Sequence, residues 1–447
     1  MIKNPYWVHF FMNNKERIRR RIERDKARRA AKKATALAKA DNYDTATDFE
    51  AIWNAGLKCC NGVRWKASVQ RWELFLLTGA YDVYDAAQTG RLLKESGDFY
   101  CFDLFERGHL RHIRSLKIDE RTAQRSLCDN SLVPALERSF IYDNGATMKG
   151  KGITFAEERL TKHLRRYARE YGVEYVLTNG YVVVFDFHHY FDNASHKTLE
   201  RIVKKVLKDK RLIEMIEKFV ADFGEVGLGL GSQISQILAL ALADRLDHEL
   251  KDVQRLKFYG RYMDDGYILC KDKAQAIAVL AVIRAVCEEL EIVVNEKKTR
   301  IVKFSRGFKF LKITYRMTPA GRIVRKTNHD GIKRERQRLR AFKRKYDAGN
   351  MELESIEASV QAWLAHAKRA DSGKTRLNMI IRFHRMFPDS TAFYPPEPID
   401  KTEVIVAAAF AADWWKHHTR RGWWSKQHMI AAYKKQKEER LCRSFTS

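Results

Sequence analysis

The stretch "YVVVFDFHHYF", Tyr181 to Phe191, runs through a continuous apolar segment and then reaches a carboxylate, Asp186. A β-branched run of this kind reads as a strand buried on both faces. A carboxylate at its end is expensive to bury unless something pairs with it. Further on, "KFYGRYMDDGYILC" (Lys257 to Cys270) sets Asp264 and Asp265 between runs of strand formers, with Gly266 suited to a tight turn. Alone, an Asp-Asp dipeptide reads as a solvated turn and Asp186 as a helix cap. Together, the carboxylates at these strand ends converge on one sheet and repel one another. A divalent cation resolves that repulsion, so the pattern predicts a metal site on a sheet.

The surrounding segments supply the rest of a layered fold. "EYVLTNGYVVVFDF" reads as a strand, "HKTLERIVKKVLKD" as a helix and "SQISQILALALADRLDHELKD" as one long buried helix. After the Asp-Asp hairpin come the helix "KAQAIAVLAVIRAVCEEL" and a strand, "IVVN". This is a βα-rich antiparallel layout of the ferredoxin-like kind. Residues 43 to 170 mix helices with a short strand pair. Gly331 to Ala370 is helical and basic, and "FPDSTAFYPPEPIDKT" breaks that pattern with a cluster of prolines.

Charge points to the partner. Lys and Arg number 84 against 56 Asp and Glu, a formal net charge of +28, which attracts polyanions, nucleic acid above all. The segment Lys15 to Ala40 carries twelve basic residues against three acidic ones, with Ile18, Ile22 and Leu37 its only large apolar side chains. It reads as a helix that cannot bury a face in a core, either solvated or laid on phosphates. No apolar run approaches the ~18 residues of a membrane span, so no membrane partner is expected. The start lacks the order of a signal peptide. Seven cysteines, none in a Cys-x-x-Cys pair, fit a reducing cytoplasm better than a disulfide framework.

These residues together resemble the reverse transcriptases of bacteria and prophages, of the group II intron-like kind. Tyr262-Met263-Asp264-Asp265 resembles the Tyr-x-Asp-Asp hairpin, and Asp186 with "YFDNASH" resembles the first palm motif. "GLGLGSQISQ" (Gly227 to Gln236) is similar to the Gly-x-x-x-Ser-Pro/Gln motif, "VVNEKKTRIV" to the lysine-threonine motif and "FKFLKITY" to the primer grip. "ERGHLRHIRSLKIDERTAQRSLCDNSLVPALERSFIYDNGATMKGKG" resembles the fingers. The departures are Gly229-Leu230 where many relatives have Pro-Gln, Gln236 where they have Pro, and Lys312 where they have Gly.

The resemblance implies an α+β right-hand polymerase. Its parts are a basic N-terminal helical arm (1–42), fingers (43–174), a ferredoxin-like antiparallel palm (175–320), a helical thumb (321–388) and a basic, Trp-rich C-terminal extension (389–447). It implies an RNA-directed DNA polymerase, a nucleotidyltransferase using two Mg²⁺ ions or Mn²⁺. Asp186, Asp264, Asp265 and the Phe187 carbonyl would hold the metals, and Lys298 would protonate the leaving pyrophosphate. Arg111, Arg114, Phe191, Leu230, Gly231 and Gln236 would bind the dNTP, with Phe191 excluding a 2′-hydroxyl. Tyr262, Met263, Phe310, Leu311 and Lys312 would hold primer and template. The implied partners are an RNA template, expected to be a structured non-coding RNA, the DNA product and dNTPs, with a second copy or an accessory protein also open. Antiphage defence is the expected role, with a diversity-generating retroelement as its alternative. A non-catalytic nucleic-acid scaffold is the alternative of another class.

Overall fold

The computed structural model describes residues 5–94, 99–106 and 109–393. Among the described residues the chain forms two compact units, one of residues up to 331 with 369–371, the other of 332–368 with 372–393, and the expected C-terminal extension from 394 on lies outside the described residues. The first unit opens with the helix Pro5–Ala40, which has Pro at its first position and no Gly or Pro after it. Residues 16–28 of this helix are exposed, and only its end is anchored: Ala40 is buried and Leu37 packs on the main core. Asp41, just beyond it, accepts the backbone N–H groups of Lys208 (2.8 and 2.9 Å) and Asp209 (2.8 Å). Helices then lead to a two-stranded antiparallel hairpin, β1 (Phe99–Glu106) and β2 (His109–Leu116).

The centre of this unit is a sheet built on β3 (Tyr181–Phe185). With β4 (Tyr259–Tyr262), β5 (Asp265–Cys270) and β6 (Arg300–Lys303) it forms an antiparallel sheet in the order β4-β5-β3-β6. The continuous apolar run of β3 has a direct cause. Val183 and Phe185 point into one hydrophobic core, whereas Val182 and Val184 point into a second core across the sheet. Each such valine contributes roughly 1.5–3 kcal/mol by leaving water. The side of the first core is covered by the helices Gln233–Leu242 and Lys273–Glu289, capped by the side chains of Ser232 and Asp272.

Several expectations are corrected here. Glu174 to Asn179 belongs to a helix, Val173–Asn179, and not to the strand. Gly172 (φ 86°) separates it from the helix before, and Gly180 ends it where a Cβ would lie 2.4 Å from the Val176 carbonyl oxygen. "IVVN" makes a single bridge, Val294 to Phe187, and Arg300–Lys303 supplies the outer strand. The long helix from Ser232 breaks at Ala243. Gly266 is not in the turn: it lies in β5 opposite Phe185, where an added Cβ would meet that ring at 2.1 Å. The turn residues are Met263 and Asp264, between the paired Tyr262 and Asp265.

A second antiparallel sheet follows, β7 (Phe308–Phe310), β8 (Ile313–Met317) and β9 (Ile323–Thr327). The β7–β8 hairpin turns on Leu311 (φ 47°) and Lys312 (φ 68°), both in the left-handed region. A two-residue turn with positive φ at both positions matches the twist of its strands and favours Asn-Gly or Gly-Gly. The loop therefore keeps its shape without the glycine, at the expense of strain. The second unit contains the helices Leu353–Ala367 and Gly373–Met386 and most of His329–Asp347. They close on Leu339, Ile356, Val360, Leu364, Met379, Phe383 and Phe387. No helix among the described residues is long and apolar enough to cross a membrane.

Lys312→Gly should raise stability by about 0.5–1 kcal/mol, since relief of left-handed strain exceeds the extra chain entropy of glycine. The urea midpoint is the measurement, and an unchanged or lower midpoint contradicts the strain.

Candidate active site

Asp186 follows the last residue of β3 and is 4% exposed. It does not stand alone. The Lys298 ammonium lies 2.8 Å from both carboxylate oxygens, and the Asn295 amide donates to one of them at 2.9 Å. Its backbone is fixed too: its N–H donates to the Thr299 hydroxyl (3.3 Å), and its carbonyl accepts from the Asn295 N–H (2.8 Å). The segment Asn295 to Thr299 thus closes over the first carboxylate. The same strand-like contact uses the carbonyls of Asp186 and Val293, not that of Phe187.

Asp264 and Asp265 face Asp186 from the neighbouring hairpin. Burial raises the Asp264 carboxyl above the usual range, and the charge of Asp186 adds to it. Burial, then the charges of Asp264 and Asp186, push Asp265 up to about 7, and Asp265 also shares a hydrogen bond with Asp186. Burial alone would lower Lys298, but the hydrogen bond and charge of Asp186, with the charges of the other two carboxylates, outweigh it and raise its pKa. Asp186 follows β3, and Asp264 and Asp265 stand at the turn and start of the strand paired with it. Lys298 is the cation that answers them.

Arg261, which no motif marks, anchors the hairpin. It is 1% exposed and forms a fully buried ion pair with Asp247, Nε to Oδ1 at 2.8 Å and Nη2 to Oδ2 at 2.6 Å. Its other donors reach the carbonyls of Met263 (2.8 Å) and Leu240 (3.3 Å), and the Tyr259 hydroxyl donates to Asp247. Leu240 belongs to the last turn of the helix Gln233–Leu242, where carbonyls lack intrahelical partners. One guanidinium therefore ties the turn before Asp264 to the end of a core helix. Its signal in the sequence is a charge inside an apolar strand, the same signal that marks Asp186.

The nucleotide-side candidates form a second group. Phe191 is half-buried, its carbonyl accepts from the Leu228 N–H at 2.7 Å, and Gly227 binds the Ala194 carbonyl at 2.9 Å. The glycine segment is therefore laced to the loop after Asp186. Leu230 is half-buried and Gly231 exposed (φ 99°), and Gln236 is half-buried on the first turn of the helix that Ser232 caps. Ser232 also donates to the buried Gln124 at 2.8 Å, a contact the sequence did not signal. Arg114 lies with its guanidinium 4.4 Å from the centre of the Phe99 ring and 6.0 Å from that of Phe223. Phe223 in turn presses on Gly229, where a Cβ would sit 1.9 Å from its ring. This explains a glycine where relatives of the resembling family carry proline. Arg111 lies on β2 opposite Leu104, and its side chain lies outside the described residues.

On the other side, Tyr262 packs against both cores, and burial raises its hydroxyl pKa while Arg369 opposes the shift. Met263 adopts φ 53°. Phe310 is buried beneath the Leu311–Lys312 turn, its ring 4.9 Å from that of Tyr267. Arg369 pairs with Glu157 and donates to the Leu311 carbonyl at 3.4 Å, holding the turn from outside the quoted motifs. His189 pairs with Asp192 at 3.0 Å, both exposed.

Hard carboxylate oxygens, partly desolvated and mutually repelling, are donors that suit Mg²⁺. No group of three His, Cys, Asp or Glu side chains among the described residues is already gathered around a metal position. Lys298 holds both oxygens of Asp186.

Residues 108–315 match the family model described as reverse transcriptase (RNA-dependent DNA polymerase), a span from the β1–β2 hairpin to β8 that includes all three carboxylates. Among solved structures, telomerase from Candida albicans with the TWJ fragment of telomeric RNA is 10% identical. It has a TM-score of 0.41, with 71% of this chain and 65% of that chain covered. Apo telomerase from Candida tropicalis, truncated from its C-terminal domain, is 12% identical, with a TM-score of 0.39 and 54% and 58% covered. This chain spans less than two thirds of each. No curated protein matches it. The α+β right-hand polymerase class expected from the sequence stands.

Removing one partner of the buried pair should be severe. Arg261→Leu strands the Asp247 carboxylate and should lose about 3–5 kcal/mol, whereas Arg261→Leu with Asp247→Leu should recover most of it. Denaturant midpoints of the single and double variants decide, and equal midpoints would mean the pair is not the anchor.

The site also predicts a pH dependence. With its pKa raised to about 7, folded Asp265 holds a proton that the unfolded chain has released. Stability from this group is therefore full below about pH 4 and is lost as pH rises through about 7. Without divalent cations, Asp265→Asn should flatten the fall in melting temperature between about pH 4 and 7. Parallel profiles for the two proteins would contradict the shift.

Proposed function

We propose that this protein is an RNA-directed DNA polymerase that adds dNTPs to a primer on an RNA template. The observation that carries the reading is the placement of Asp186, Asp264 and Asp265 at adjoining strand ends of one antiparallel sheet, inside the span that matches the reverse transcriptase model. In this reading residues 43–174 are fingers, 175–320 the palm and 321–388 the thumb. The basic arm and the net charge of the chain hold nucleic acid by its phosphates.

Each side chain has a task that its setting supports. Asp186, Asp264 and Asp265 would hold two Mg²⁺ ions, which neutralise the triphosphate and favour the ionised primer hydroxyl. Lys298, protonated and largely exposed, supplies a proton donor beside Asp186. Phe191 lies under the sugar and excludes a 2′-oxygen by its ring, with Leu230, Gly231 and Gln236 around the base pair. Arg114, braced by Phe99 and Phe223, meets the triphosphate, and Arg111 joins it. Tyr262, Met263 and the Phe310–Lys312 turn grip the primer end.

The finer reading is a dedicated structured RNA copied in antiphage defence. It rests on the pattern Leu-Gly-x-x-x-Ser-Gln from Leu230 to Gln236, which diversity-generating enzymes share. Sequencing the nucleic acid that copurifies with the protein separates the two. The Lys298–Asp186 ion pair favours a second reading, a scaffold that keeps the fold and binds nucleic acid without chemistry.

One assay separates polymerase from scaffold. Asp264→Ala with Asp265→Ala should abolish dNTP incorporation with Mg²⁺ while RNA affinity stays within about threefold, because affinity comes from dispersed Lys and Arg. Wild type that incorporates nothing with any primer supports the scaffold, and a double variant that still extends a primer removes the carboxylates from the chemistry.

A further inference from the structure

The segment Trp65 to Tyr81 breaks the usual rule for a surface. Its inner side is conventional: Val69, Leu76, Ala80 and Val83 are buried, and Trp72 fills the space between helices, lying against Gly56 and Gly79. The outer side is apolar as well. Trp65 is 75% exposed, Leu74 77%, Phe75 60%, Leu77 64% and Tyr81 56%. The helices Ala67–Leu74 and Leu76–Gln88 meet at Phe75, so Leu74, Phe75 and Leu77 crowd the corner between them. Arg64 pairs with Glu73 at 2.9 Å, which ties the backbone next to Trp65 to the helix that ends at Leu74, and the Tyr81 ring lies 6.1 Å from that of Tyr84.

An aromatic side chain buries ~150–250 Å², so these five side chains together offer on the order of 600 Å² of apolar surface. That is at the upper end for an isolated soluble chain and near the ~800 Å² each partner contributes to a standard interface. Charge says what sits there. Residues 64–85 carry Arg64, Lys66 and Arg71 against Glu73, Asp82 and Asp85, three of each sign, in a chain of net charge +28. A polyanion has no reason to choose a neutral face. Two copies repel across surfaces of average composition, but not across this one. A rim that holds both signs can also meet its own image about a two-fold axis, as a symmetric dimer requires.

We infer that this face is where a second copy of the chain docks, giving a dimer held by Trp65, Leu74, Phe75, Leu77 and Tyr81. The contact is apolar and locally neutral, so salt does not dissolve it, whereas salt strips nucleic acid from the basic surfaces.

The test uses the nuclease-treated full chain in sedimentation velocity across a dilution series, at 0.15 and 1 M NaCl. The expected result is a monomer–dimer equilibrium with a dissociation constant no weaker at the higher salt. Leu77→Glu with Tyr81→Glu, at exposed positions, should weaken it by roughly 30-fold or more at an unchanged melting temperature. A chain that is monomeric throughout overturns the proposal. If the variant of such a monomer also melts lower, the face is covered within one chain, and that too is a refutation. A dimer of equal affinity in the variant, or one lost at 1 M NaCl, places the contact elsewhere.

Discussion

The buried Arg261–Asp247 ion pair is the constraint on which the geometry of the site depends. Two charges removed from water carry a desolvation penalty of several kcal/mol each, which only well-placed hydrogen bonds offset. Here four N–H groups of the guanidinium are engaged: two with Asp247, one with the Leu240 carbonyl and one with the Met263 carbonyl. Such a pair adds little net stability over an apolar substitute. What it adds is register. Strand β4 cannot slide or rotate without leaving a charge unpaired in the core, so Asp264 and Asp265 stay opposite Asp186.

That register is needed because the hairpin is strained. Met263 takes a left-handed φ of 53° in a position that glycine favours, and the next two residues are carboxylates whose ionisation burial opposes. Strain of this kind persists only where the surroundings over-determine it. Arg261 supplies that from one side through the Met263 carbonyl. From the other, Gly266 admits the Phe185 ring, so β5 lies close enough to β3 for the carboxylates to face one another.

What was legible in the sequence, and what was not, follows from the range of the interactions. Strand β3 and its terminal Asp186 were legible because a continuous apolar run has few explanations and a carboxylate beside it needs a partner. The position of the turn was not: Gly266 looked like the turn residue, but its missing side chain serves a ring from another strand. Glu174 to Asn179 reads as strand because apolar residues next to a strand extend the pattern, and only Gly172 and Gly180 mark the boundary. The Asp247 partner of Arg261 and the Glu157 partner of Arg369 belong to helices elsewhere in the chain, and nothing local names them. The placement of Phe191 against Leu228 was reachable only through the resemblance, since two separate loops carry it.

Lys298 sets the electrostatic state of the site. Three carboxylates with one ammonium leave an excess of negative charge in a partly desolvated space. The proton held by Asp265 near neutral pH is how the folded chain relieves it. Because Lys298 spans both oxygens of Asp186, any other cation must compete with it for that carboxylate. The lysine side chain is 63% exposed, so its ammonium can swing into water at small expense, whereas the buried Asp186 carboxylate cannot follow. In the function proposed above, a metal ion held by Asp186 would take the place of the ammonium and leave Lys298 beside the site as a proton donor.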